Sequence, residues 1–259
     1  MAELTVDALI LKSQNYAEND KLLTVLAGDR GIMSVMAKGV RKMTSKNAAS
    51  VQPFCYSTLE LASKGDLYTL KTAVCTHSFP NLAREPEVYA LACYFAESAM
   101  CFLVGGTGEP EVLRLLLNAL YLLENDTDKP QWLIKSAYEL KLTALAGFLP
   151  DFDACENCGR ALDGEQSGAA AFDMANDICL CADCAKTAEQ HGNLFFLSEG
   201  VRKALRYAAV CPVNRFAAFR VPESDGASLS LFAEKYLLHV AGRKPFDTLQ
   251  YYKSLLRMT

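Results

Sequence analysis

The chain has 259 residues, 51% hydrophobic and 22% charged, with a net charge of −4. That length suits one large domain or two ordinary ones, and the composition excludes a disordered chain. Residues 1–80 hold nine Lys/Arg against seven Asp/Glu, and the remainder seventeen against twenty-three, so no global excess of positive charge advertises a nucleic-acid binder and only a local cluster could give the asymmetry meaning.

No basic stretch followed by an apolar run opens the sequence, so no signal peptide is expected. The apolar stretches are interrupted by Glu87, Glu97, Arg114 and Glu124, and no transmembrane helix is expected. Ten cysteines without an export signal point to a reducing compartment, with the cytoplasm as the default.

The first part of the chain reads as strands. Thr5–Leu11 is β-prone and is followed by a polar turn, Ser13–Asp20. Lys21–Leu26 is a second apolar run, Gly28–Gly31 a turn, and Ile32–Ala37 a third strand. Phe54–Ala62 and Asp66–Val74 follow, joined by a tight hairpin through Lys64-Gly65-Asp66. Five short strands in fewer than eighty residues suggest a small barrel, either a five-stranded OB-fold or an SH3-like barrel.

After Pro80 the period changes to that of helices. One is expected from Pro86 through Leu103, broken by Gly105-Gly106-Thr107-Gly108. A second opens at Pro110, and a third runs from about Gln131 to Ala146 and ends at Gly147. Ser198 is an expected N-cap, and Leu229–Val240 and Phe246–Leu256 are further helices. The organisation is α+β, with a barrel over 1–79 and a helical domain over 80–259 carrying an insertion at about 151–190.

That insertion contains the sharpest motif. Cys155-Glu156-Asn157-Cys158-Gly159 is followed, after 22 residues between Cys158 and Cys181, by Cys181-Ala182-Asp183-Cys184. Two Cys-x-x-Cys turns can aim four thiolates at one point and complete a tetrahedral zinc site; four thiolates leave no open position for water or substrate, so the zinc is expected to be structural. Gly159 suits a turn needing positive φ. Cys179 lies two residues before Cys181 and is read as a small buried side chain or reserve thiol.

Between the third and fourth strands, Lys38-Gly39-Val40-Arg41-Lys42-Met43-Thr44-Ser45-Lys46 places four positive charges in nine residues. Such residues neutralise phosphates without regard to sequence, and Arg41 can grip a phosphate through two N–H groups. Lys38, Arg41, Lys42 and Lys46 are the candidate DNA contacts, with Arg30 on the preceding turn as a weaker one, and Tyr56 and Tyr68 as stacking surfaces. The bland reading is a solvated loop on a barrel whose tyrosines are core or rim.

Catalytic signatures are thin. No phosphate-binding Gly-x4-Gly-Lys-Ser/Thr, His-Glu-x-x-His or Gly-x-Ser-x-Gly is present. His77, His191 and His239 are scattered, and Glu18 and Asp20 read as capping or ion-pairing groups. The chain is expected not to be an enzyme.

These pieces together resemble the RecO family of bacterial recombination mediators. The likeness rests on Asp7–Ser13, Tyr16–Leu23, Gly31, Lys38–Lys42, Gln52-Pro53-Phe54, Glu139-Leu140, Gly147–Pro150 and the cysteine quartet, and more loosely on Tyr236–His239 and Lys253–Leu255. The resemblance implies an N-terminal OB-fold, a helical C-terminal domain and a zinc module. It implies binding to single- and double-stranded DNA, strand annealing, partnership with RecR, and help in loading RecA onto strands coated by single-stranded-DNA-binding protein, in the cytoplasm at the nucleoid. The alternative is a zinc-containing scaffold or transcription-associated protein acting mainly through protein contacts.

Overall fold

Five strands, β1 (Ala2–Tyr16), β2 (Asp20–Ala27), β3 (Gly31–Ala37), β4 (Tyr56–Lys64) and β5 (Leu67–His77), close into a barrel in the order β1-β2-β3-β5-β4. The computed structural model describes residues 2–64, 67–103, 107–126, 128–148, 150–162, 170–188, 194–242 and 244–257. Gly65 and Asp66 of the expected hairpin turn, Gly105 and Gly106 of the expected helix break, Leu149 and His191 lie outside the described residues.

Alternation at period two builds the barrel interior. Val6, Ala8 and Ile10 point inward with Leu23, Val25, Ala27, Met33, Val35, Leu59, Leu61 and Leu70. The neighbours β1–β2, β2–β3, β1–β4 and β4–β5 are antiparallel. Closure depends on a short parallel seam between β3 and β5, in register at Val35↔Tyr68 and Met36↔Thr69.

Two local expectations are corrected. Ser13–Tyr16 is strand, because β1 continues against β2 as far as Tyr16↔Asp20, and the turn is only Ala17–Asn19. Phe54 is not strand but a turn residue with φ 65. Its N–H donates to the Ile10 carbonyl over 2.8 Å, beside the register shift of β1, and its ring meets Tyr89 edge-on at 5.6 Å.

Three helices, α1 (Pro86–Phe102), α2 (Pro110–Asn125) and, from the far end of the chain, the last helix at Asp247–Leu256, group with the barrel into one compact unit, residues 1–126 with 246–259. The strand-to-helix change near residue 80 is therefore not where contacts thin out. The reason lies on the outer barrel wall: Leu9 and Leu26 are register partners with no accessible surface, facing away from the interior cluster on strands that α1 and α2 touch. The last helix is tied in by Glu97 of α1, whose carboxylate accepts from the Thr248 hydroxyl at 2.5 Å.

The second unit, residues 127–245, is built on α3 (Gln131–Leu145), α5 (Glu199–Val210) and α6 (Glu223–Val240). Gly147 at φ +86 follows the end of α3, and the Ser198 hydroxyl accepts the Val201 N–H at the start of α5. Helix α6 begins six residues before the expected Leu229, since the polar, glycine-bearing Glu223–Ser228 hides its period. Gly226 lets Trp132 pack close: a Cβ there would come within 3.1 Å of the ring.

This helical unit also holds a small sheet absent from the sequence reading, β6 (Ala170–Asp173), β7 (Ile178–Cys181) and β8 (Leu194–Leu197), ordered β7-β6-β8, with the short α4 (Ala182–Ala188) after β7. Its strands are only four residues long, too short to show alternation. Phe172 of β6 packs edge-on against Phe232 and Tyr236 of α6, at 5.2 and 5.7 Å between ring centroids. None of the described helices is long and apolar enough to cross a membrane. The last helix, Asp247–Leu256, is α7.

Candidate nucleic-acid interface and metal centre

The chain leaves β3 at Ala37, the register partner of Lys21, so the basic loop starts beside the β1–β2 turn. That turn grips it. The Gly39 N–H donates to Oδ1 of Asp20 over 2.7 Å, with Gly39 at φ +66. The Arg41 N–H donates to the Asn19 carbonyl at 3.0 Å, and its guanidinium to the Ala17 carbonyl at 3.1 Å. A guanidinium has five N–H donors, so this bond leaves others for a phosphate. Asp20 thus caps a backbone N–H and does not serve a lysine.

Downstream, the side chain of Asn47 pairs twice with β5, donating to the Lys71 carbonyl at 3.0 Å and accepting from the Ala73 N–H at 3.1 Å. Between these anchors Lys38, Arg41, Lys42 and Lys46 are all exposed. Four cations therefore share one tethered loop.

Arg30 is not with them. It lies exposed in the β2–β3 turn, 3.6 Å from Asp29, at the other end of the hairpin. The length of β3 separates the two ends, about 20 Å at 3.3 Å per residue.

The tyrosines also part company. Tyr68 is half-buried, opposite Val35 near the basic loop. Tyr56 instead lines a groove of about 620 Å³ with Thr5, Asp7, Asp29, Pro110 and Leu113, in which burial and then Asp7 push its hydroxyl pKa up. Acids beside it make that groove a poor place for phosphate. Gly108 allows the groove wall to close, since a Cβ there would meet the Asp29 carbonyl oxygen at 2.6 Å. An aromatic that the sequence reading passed over is Tyr16, 54% exposed, directly before the turn that holds Arg41. Its place next to a polar run was the available signal.

In the second unit the four thiols of Cys155, Cys158, Cys181 and Cys184 come together, their sulfurs all within 4.8 Å of one another. The first turn is shaped by backbone bonds, Gly159 N–H to the Cys155 carbonyl at 2.7 Å and Cys155 N–H to the Arg160 carbonyl at 2.8 Å, with Gly159 at φ +70. Cys181 ends β7 and Cys184 lies in the first turn of α4. The group can hold a metal ion.

Its surroundings suit a thiolate at Cys155, whereas at Cys184 the Asn157 amide is outweighed by the neighbouring thiols and the pKa is pushed up to about 12. Burial opposes ionisation of Cys155, but the backbone N–H groups of Cys181, Cys158 and Asn157 outweigh it and bring the pKa down to about 6. The Asn157 amide donates to the Cys184 sulfur at 3.3 Å, and a donor to a ligand sulfur orients it. Cys179 stands apart: it pairs with Phe172 in the sheet, is fully buried, and burial pushes its thiol up to about 11. None of the ten cysteines forms a disulfide.

Comparison with known proteins agrees along the chain. A family model described as Recombination protein O N terminal matches residues 1–79, and one described as Recombination protein O C terminal matches residues 83–250. The DNA repair protein RecO of Acetivibrio thermocellus is 26% identical over 260 residues, which is 100% of this chain and 99% of that protein. The protein of the same name from Dehalococcoides mccartyi is 30% identical over 238 residues, 92% of this chain and 90% of its own. The closed five-stranded barrel is the OB-fold domain that the first model describes, and the second model spans well over half of the residues: the chain belongs to the RecO family.

Proposed function

We propose that this RecO-family chain binds single- and double-stranded DNA through the loop Lys38–Lys46 and anneals complementary strands. Family membership supports a role in DNA repair and recombination. The observation that carries the finer reading is the loop itself: four exposed cations, tethered at both ends, on an OB-fold barrel. The loops of such barrels commonly bind oligonucleotides. A net charge of −4 means that attraction to DNA must be local, and the cluster supplies it. Phosphate contacts set affinity without reading bases. Tyr16, exposed beside the same turn, offers a face on which an unpaired base can stack, while Arg30 gives a separate, weaker contact.

In this reading the chain is a mediator without a chemical active site. It works with RecR, and with single-stranded-DNA-binding protein on the coated strand, to help load RecA. Purified protein should anneal complementary strands without nucleotide hydrolysis. ATP turnover by a clean preparation, or annealing that requires it, would contradict this.

The metal in this reading is one structural zinc. Sulfurs placed about 2.3 Å from a centre form a tetrahedron with edges of about 3.8 Å. The Cys158 and Cys181 sulfurs are 3.8 Å apart. Cys155, Cys158, Cys181 and Cys184 would hold the ion, whose charge lets four neighbouring thiols ionise together. Metal analysis of reduced protein should find about one zinc per chain.

A further inference from the structure

Besides the Arg41 guanidinium on the Ala17 carbonyl, the basic loop is fastened to the barrel by two side chains that carry no positive charge. At its entry, Asp20 accepts the Gly39 N–H at 2.7 Å. At its exit, Asn47 replaces a missing strand. Parallel pairing of β3 with β5 stops at Met36↔Thr69, and the Asn47 amide takes up the next groups along β5, the Lys71 carbonyl and the Ala73 N–H. Ser50 continues the row, its hydroxyl accepting the Cys75 N–H at 3.2 Å.

We propose that Asp20 and Asn47 are positioning residues that hold Lys38–Lys46 ready-formed for the DNA backbone. The inference rests on the reading of that loop as the DNA contact. A loop already ordered does not have to be ordered on binding, which otherwise costs affinity for each immobilised side chain. Asp20 gives the idea a clean sign. It is an acid beside the cations, and by charge alone its loss would tighten binding to a polyanion. The carboxylate favours DNA binding only if its bond to the Gly39 N–H is worth more than the repulsion.

The test compares Asp20→Ala, Asp20→Asn and Asn47→Ala with wild type for binding to an unrelated-sequence single strand. Asp20→Ala should weaken binding about tenfold, although it removes a negative charge. Asp20→Asn keeps an acceptor for the Gly39 N–H and should bind at least as tightly as wild type. Asn47→Ala should weaken binding several-fold with no change in charge. Amide exchange at Gly39 should quicken in Asp20→Ala and stay slow in Asp20→Asn. Should Asn47→Ala fail to fold, the Asp20 pair decides alone. Wild-type or tighter binding by Asp20→Ala, with Arg41→Ala/Lys42→Ala clearly weakened, overturns the positioning role and leaves the loop as the contact. Wild-type binding by Arg41→Ala/Lys42→Ala overturns the underlying reading instead.

Discussion

The guanidinium of Arg160 lies 2.7 Å from Oδ2 of Asp183, joining the residue after the first cysteine turn to a residue inside the second. The bond links the two cysteine turns. Both side chains are exposed, so water screens the pair and its share of stability is small. Arg160→Ala should therefore retain the metal but release it faster to a chelator. Single Ser replacements of Cys155, Cys158, Cys181 or Cys184 should each lose it, whereas Cys179→Ser should keep it. Metal content after chelator challenge distinguishes these cases, and loss of metal from Cys179→Ser would overturn the ligand assignment. Stripping the metal should loosen the sheet β7-β6-β8, because metal binding is coupled to folding of its segment.

A second expectation concerns the buried ion cluster between α3 and α6. Lys135 lies 2.7 Å from Glu139 and 3.0 Å from Glu234, with all three groups buried. Burial would strip its proton, but the two carboxylates outweigh burial and push the pKa above the ordinary 10.5. A raised folded-state pKa means that the contribution is fully present below the unfolded value and is lost as pH rises through the still higher folded one. Lys135→Met leaves two buried acids and should cost about 3–5 kcal/mol at neutral pH. Denaturant melts at neutral and strongly alkaline pH test both statements. A Lys135→Met protein as stable as wild type at neutral pH would contradict the first.

Tyr16 separates stacking from charge. Tyr16→Ala should weaken single-strand binding by about 1–3 kcal/mol, the usual worth of a base–aromatic stack, and affect duplex far less. The salt dependence should not change, since no cation is lost. Equal effects on single strand and duplex would exclude stacking.

The N-cap of α5 is a local check on the second unit. Ser198→Ala removes the acceptor of the Val201 N–H, 3.1 Å away, and should cost about 1 kcal/mol. A melt unchanged by this substitution would mean that α5 is held by tertiary packing alone.

Much of this was legible because period and punctuation agreed with the fold. Val6, Ala8 and Ile10 alternate as a barrel wall requires, Pro86 and Pro110 sit at helix starts, and Gly147 follows a helix end. The gathering of Cys155, Cys158, Cys181 and Cys184 was legible because two turns at Cys-x-x-Cys spacing converge almost by themselves. What stayed hidden depends on long-range contacts. Nothing local marks Asn47 as a surrogate strand partner of β5, or Asp20 as a cap for Gly39, since 26 and 19 residues separate them from the backbone N–H groups they accept. Likewise Leu9 and Leu26 look like any strand leucines until helices cover the outer wall. Arg30 appeared near the loop in sequence, and the hairpin carries it to the opposite end.

The most direct test of the DNA-binding account is the salt dependence of single-strand affinity for wild type and Arg41→Ala/Lys42→Ala, measured on the chain alone. Each lost phosphate contact lowers the magnitude of the log K against log salt slope by about 0.7 on single strands. The account predicts a slope smaller by about 1.4, weaker binding to every sequence, slower annealing, and unchanged metal content and fold. Wild-type affinity with an unchanged slope would contradict it and place the DNA contact elsewhere on the chain or on a partner.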